Sequence, residues 1–139
     1  MNTYAKLVIF GLILFLTTSH AFAKAPGFNR ATERALRQAK RQGKPVVIDF
    51  GAKWCPWCKK LEAETLSNME VQQALKSFVT LKVDMTRPKK NERAFAREFG
   101  VEGLPTVAFI NSKGTELKEM KLVGFIPASE FLKLLKKVK

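Results

Sequence analysis

Apolar positions change their period several times along this chain, and each change marks an element. Phe28, Ala35, Leu36 and Ala39 share one helical face, while Arg30, Arg34, Arg37, Arg41 and Lys44 share the other. Gly43-Lys44-Pro45 stops this helix, and the basic stripe reads as a solvated face rather than a docking surface. Val46-Val47-Ile48-Asp49-Phe50 then runs without polar alternation, as a strand covered on both faces should. Its one charge, Asp49, is therefore conspicuous.

A helix is predicted from the cysteines at 55 and 58 through Leu61, Leu66 and Leu75, with a break near Ser67-Asn68. Phe78 to Val83 reads as a second strand, Asn91 to Phe99 as a helix and Thr106 to Ile110 as a third strand. Asn111-Ser112-Lys113-Gly114 is a turn signal, so Leu117 to Gly124 is expected to return as the second arm of a hairpin. Phe131, Leu132, Leu135 and Val138 have helical spacing, with Pro127 suited to the first turn and Lys133, Lys136, Lys137 and Lys139 to the C-terminal end. The order predicts an α/β domain. Its first two strands should be parallel through a right-handed crossover, in a mixed sheet with helices on both faces.

The first 23 residues read differently. Lys6 precedes a nearly unbroken apolar run, Leu7 to Leu16, and Ala21-Phe22-Ala23 offers a small-x-small cleavage site, the pattern of a secretory signal peptide. The run is short for a membrane span, which takes about 20 residues, and an uncleaved anchor is the alternative. Residues 24–30 read as a linker and 31–139 as one domain, matching the prior for a chain of 139 residues. Cleavage after Ala23 would remove His20 and Tyr4, the sole histidine and tyrosine, leaving 24 basic and 12 acidic residues, a net +12.

That subtraction narrows the chemistry. Histidine acid/base catalysis and Cys-His proteolysis are excluded for the mature chain, and two cysteines cannot furnish a four-ligand structural zinc site. The positive charge invites acidic partners or anionic surfaces. No nucleic-acid role is expected, because the basic residues are spread along helices and accompany no recognised binding motif.

Cys55-Pro56-Trp57-Cys58 stands where a buried strand gives way to a helix, which is a redox arrangement. With Cys55 at the N-cap and Pro56 in the first turn, free amide hydrogens and the helix dipole favour a Cys55 thiolate, helped by Lys53, Lys59 and Lys60. The Cys55 thiol is thus expected to ionise more readily than a free one. Cys58, almost one turn further in, is expected to be the less exposed partner that resolves a mixed disulfide. A purely structural bridge is the duller alternative, but so short a loop restricts the unfolded chain little.

Asp49-Phe50-Gly51-Ala52-Lys53-Trp54-Cys55-Pro56-Trp57-Cys58-Lys59, followed by Gly103-Leu104-Pro105-Thr106, resembles the thioredoxin superfamily over residues 31 to 139. Cys58-Lys59-Lys60-Leu61-Glu62, Val83-Asp84 and Val123-Gly124-Phe125 are most similar to the C-terminal periplasmic domain of DsbD-type thiol:disulfide interchange proteins. The resemblance implies a thioredoxin fold, a redox-active Cys55/Cys58 pair and a cis Leu104-Pro105 peptide opposite it. It makes Asp49 the buried acid that accepts the Cys58 proton, and gives Glu62 a tuning role beside the alternative of a surface pair with Lys59 or Lys60. Trp54, Pro56, Trp57, Leu104 and Pro105 become the substrate-binding rim.

By the same resemblance, the expected function is an exported thiol:disulfide oxidoreductase, a reductase or electron relay. Oxidised proteins would be its substrates and a membrane thiol transporter on a separate chain its electron donor. The domain would act as a monomer, without cofactor or metal, in the periplasm or outside the cell. A disulfide oxidase or isomerase, or a soft-metal carrier using the two thiolates, remains the alternative. Two departures bear on the redox poise: Gly51 stands where many thioredoxins have a bulky aromatic, and Pro-Trp replaces their usual Gly-Pro.

Overall fold

The computed structural model describes residues 30–138, so the signal-peptide reading of 1–23, with His20 and Tyr4, and most of the expected linker lie outside the described residues. Helix α1 begins at Arg30, the last residue of that linker (Arg30–Gln42), and leads into β1 (Val46–Gly51). Helix α2 (Pro56–Leu61) continues through a π-helical turn (Glu62–Leu66) and breaks before α3 (Met69–Leu75). The break is capped by Asn68, whose Oδ1 accepts from the Glu70 and Val71 amides at 2.9 and 3.2 Å, a contact worth about 1 kcal/mol. Strand β2 (Val79–Asp84), helix α4 (Lys90–Glu98), strands β3 (Thr106–Ile110) and β4 (Leu122–Val123) and helix α5 (Ala128–Val138) complete the order.

The four strands form one sheet in the order β2-β1-β3-β4. β1 runs parallel to β2 and antiparallel to β3, so the parallel first pair and the mixed sheet are as the pattern predicts. Side chains alternate across the sheet, which sorts the core into two layers. Val46, Ile48 and Phe50 pack with Ala39 of α1 and with Phe95, Ala96 and Phe99 of α4. Val47 packs on the opposite face with Leu61, Val71, Phe131 and Leu135, from α2, α3 and α5. Continuing the alternation puts Asp49 on the α2 side, directly behind the cysteine helix.

Both layers are well filled. Phe50, Phe109 and Phe131 are wholly buried, and the Phe50, Phe95 and Phe99 rings lie with centroids 4.9 to 5.9 Å apart. Aromatic pairs at such distances add about 0.5–1.5 kcal/mol each beyond their burial. No described helix is long and apolar enough to cross a membrane.

The hairpin differs from its expected form. A continuous return strand over Leu117 to Gly124 is replaced by an Ile110–Glu116 bridge, a 3₁₀ turn (Lys118–Met120) and the two residues of β4. Between the Ile110–Glu116 and Val107–Leu122 pairings one arm advances three residues and the other six, so three residues are extra. A 3₁₀ turn eclipses positions three apart, and this brings Leu117 and Met120 together against the core. Lys121 then donates to the Phe99 and Gly100 carbonyls at 3.2 and 2.9 Å, fastening the hairpin to the C-terminal end of α4.

Candidate functional site

Strand β1 ends at Gly51, and the chain turns sharply through Ala52 to Trp54 before entering α2. The Cys55 amide donates to the Ala52 carbonyl at 3.1 Å, and Cys55 itself is the N-cap in an extended conformation. Its Sγ accepts from the Cys58 amide at 3.1 Å, and Pro56 begins the helix where a missing N–H costs nothing. The two cysteines form a disulfide with Cα atoms 5.3 Å apart. A sulfur held by a helix-start amide is a stabilised leaving group and, once reduced, a stabilised thiolate.

The exposure of the pair is the reverse of the expectation. Cys55 is 3% exposed, whereas Cys58 is half-buried. At Gly51, the position a Cβ would take borders Cys58 Sγ at 3.7 Å and Asp49 Oδ1 at 3.8 Å, so both groups face the same strand end. The tight turn closed by the Cys55 amide and the Ala52 carbonyl tucks Cys55 in at the helix start.

Asp49 lies behind the pair. Its Oδ1 is buried and accepts no hydrogen bond among the described residues. Burial pushes its carboxyl up to about 6, opposed by the Lys82 ammonium and reinforced by the Glu62 carboxylate. Sequence reasoning did not find Lys82. It is the β2 residue in register with Asp49, and its Nζ meets Glu62 Oε2 at 2.6 Å, which raises the Lys82 pKa. Glu62 is therefore paired across to the sheet and with neither Lys59 nor Lys60. The one available signal was that Lys82 is the lone charge inside an otherwise uncharged strand run.

Thr86 was also missed. Its carbonyl accepts from the Trp54 indole at 3.2 Å, its Oγ1 accepts from the Lys53 amide at 2.9 Å, and its own amide donates to Asp84 Oδ1 at 2.8 Å. The turn after β2 thus holds the turn before the cysteines. Trp54 and Trp57 remain 63% and 57% exposed beside the cysteines in the chain, and Val123, paired with Thr106, is 63% exposed.

Leu104-Pro105 is a cis peptide, as the resemblance implies. Leu104 is half-buried and Pro105 buried. The Pro105 carbonyl accepts from the Gly124 amide at 2.8 Å, and Thr106 Oγ1 donates to the Gly103 carbonyl at 2.7 Å, fixing the loop to β4 and to itself. Among the described residues no cluster of three or more His, Cys, Asp or Glu could hold a metal ion.

A family model described as a thioredoxin-like domain matches residues 32–139. The chain belongs to this thioredoxin-like family. Its relatives include the thiol:disulfide interchange protein DsbD of Klebsiella pneumoniae, 43% identical over 99 residues, which are 71% of this chain and 16% of the relative. DsbD of Pasteurella multocida is 34% identical over 126 residues, 88% of this chain and 22% of the relative. The thioredoxin-like chain therefore spans about a fifth of the length of these relatives. Among solved structures, the reduced C-terminal domain of Neisseria meningitidis DsbD superposes with a TM-score of 0.71 at 32% identity, covering 81% of this chain and 98% of that one.

Proposed function

We propose that the chain is an exported thiol:disulfide oxidoreductase that works as a reductant, or as an electron relay, for disulfides of periplasmic proteins. The observation that carries this reading is the Cys55–Cys58 disulfide at the start of α2, backed by the half-buried Asp49 carboxyl, whose proton affinity burial has raised toward neutrality.

The cycle follows from the geometry. The reduced Cys55 thiolate attacks one sulfur of a substrate disulfide. That S–S bond breaks, the other substrate sulfur leaves as a thiolate, and a Cys55–substrate mixed disulfide remains. Cys58 then attacks Cys55 Sγ, releasing the second substrate thiolate and closing the intramolecular disulfide. Its thiol proton passes to Asp49, both groups bordering the same space at Gly51. Trp54, Pro56, Trp57, Leu104 and Pro105 form the rim on which the substrate segment lies, with an extended backbone beside the 103–105 loop.

Two electrons must return to the pair for another turnover. The similarity to DsbD supports a membrane thiol transporter as their source, and the N-terminal segment read as a signal peptide supports export. The test is turnover itself. With dithiothreitol as donor, the mature chain should reduce the disulfides of a model protein well above the uncatalysed rate, and replacing Cys55 by serine should abolish the difference. A rate equal to dithiothreitol alone would refute the proposal.

A further inference from the structure

The cysteine helix and the cis-proline hairpin approach each other at one side chain to which the exchange steps assign no contact with substrate. Lys60, in the last turn of α2, places its ammonium 5.6 Å from the centre of the Trp57 ring and 4.5 Å from that of Phe125. Both distances lie in the range of cation–π attraction, which orders a side chain that would otherwise sample many rotamers. Trp57 stands between the cysteines. Phe125 directly follows Gly124, whose amide is bonded to the Pro105 carbonyl. Lys60 therefore holds a fixed positive charge across both walls of the substrate rim.

No carboxylate among the described residues forms an ion pair with it. Lys53, Lys59 and Lys60 are exposed and form no ion pair among the described residues, whereas the carboxylates on the site's inner side are all engaged or enclosed. Glu62 is tied to Lys82, Asp84 is tied to the Thr86 amide, and Asp49 lies behind the disulfide. The outward face around Trp54, Trp57 and Val123 is consequently apolar at its centre and basic on its helix side. Glu102, exposed just before the 103–105 loop, is the carboxylate of the opposite side. A docked segment thus meets positive charge where it passes α2 and negative charge where it enters the loop.

We infer that Lys60 is a specificity-determining residue that selects substrate segments carrying an acidic side chain beside the cysteine under attack. The apolar neighbour of that cysteine rests on Trp57, and the acid reaches the Lys60 ammonium, whose N–H donors stay open to solvent above the two rings. Such a contact raises the encounter rate and fixes the direction in which the segment lies, and it weakens as salt screens it. The inference rests on the proposed oxidoreductase function and adds a substrate class to it.

Three synthetic peptides test it, each with one intramolecular disulfide and differing only in whether the flanking residue is Glu, Gln or Lys. The second-order rate constant for their reduction by the reduced mature chain is measured at low and high salt. At low salt the Glu peptide should react about tenfold faster than the Lys peptide, and the gap should close at about 1 M salt. Lys60→Gln should shrink the Glu-to-Gln rate ratio toward one, Lys60→Arg should keep it, and Lys60→Glu should turn the preference toward the Lys peptide. The ratio is the decisive readout, since a merely structural defect slows all three peptides alike. Reduction of all three at one rate, or a preference that survives Lys60→Gln, overturns the inference alone. Failure to reduce any of them overturns the proposed function and the inference together.

Discussion

Replacing Cys58 by serine should stop the cycle at its midpoint. Cys55 would still attack a protein disulfide, but with no second sulfur in the helix the mixed disulfide should accumulate to one equivalent. Turnover should fall by about 100-fold or more, because release then depends on solution thiols lacking the advantage of proximity. Non-reducing electrophoresis and intact-mass measurement would show the adduct directly. The reciprocal variant, Cys55→Ser, tests the assignment of roles, which the burial of Cys55 in the oxidised form makes a pointed question. If Cys58 were the attacking sulfur, Cys55→Ser would form the adduct and Cys58→Ser would not. Our account expects the opposite, since the sulfur bonded by the helix-start amide belongs to Cys55.

Asp49→Asn should make the protein more stable and slower. In the folded chain this carboxyl is raised from 3.8 to about 6, so the native state holds its proton more tightly than the unfolded state does. The resulting sign is clear. Below pH 3.8 both states are protonated and the residue costs nothing; as pH rises through about 6 the folded state must ionise a buried group, and stability is lost. The asparagine variant lacks that cost. Its denaturant midpoint should exceed the wild type's at about pH 8, and the difference should fade toward about pH 4.

The same substitution removes the acceptor for the Cys58 proton, so resolution of the mixed disulfide should slow by about 100-fold in single-turnover experiments at neutral pH. The wild-type resolution rate should rise with pH through about 6, and the variant should lose that inflection. Lys82 and Glu62 supply the internal control, because they act on Asp49 with opposite signs. Lys82→Met should move the inflection up and Glu62→Gln should move it down. Unchanged single-turnover kinetics in Asp49→Asn would remove its role, whatever the stability showed.

Much of this was legible in one dimension because the informative residues are exceptions to a local pattern. A charge inside the apolar run 46–50 is an exception on a doubly covered sheet, so Asp49 stood out before any coordinates; the residue is half-buried, with its Oδ1 enclosed. The cysteines could be placed at a helix start because Pro56 tolerates the first turn and the apolar period changes there. Pairings between distant strands were not legible. Nothing local to Lys82 says that β2 lies beside β1 in the register that puts it opposite Asp49, nor that its ammonium reaches Glu62. The hairpin failed for a similar reason: Leu117 and Met120 satisfy a strand-like composition, but the core takes both from a 3₁₀ turn. Nor does spacing along a helix report which of two cysteines the preceding turn encloses, and here it is Cys55.

The central claim is a reversible dithiol–disulfide cycle poised to give electrons away, and the equilibrium reduction potential of the mature chain tests it most directly. Trp54 and Trp57 flank Cys55 and remain exposed, so their fluorescence can follow the transition across defined thiol buffers. A single two-electron transition near or below about −230 mV is the result expected of a reductant. A value of about −120 to −180 mV would make the chain an oxidant or isomerase, and the absence of any reversible transition would contradict the cycle itself.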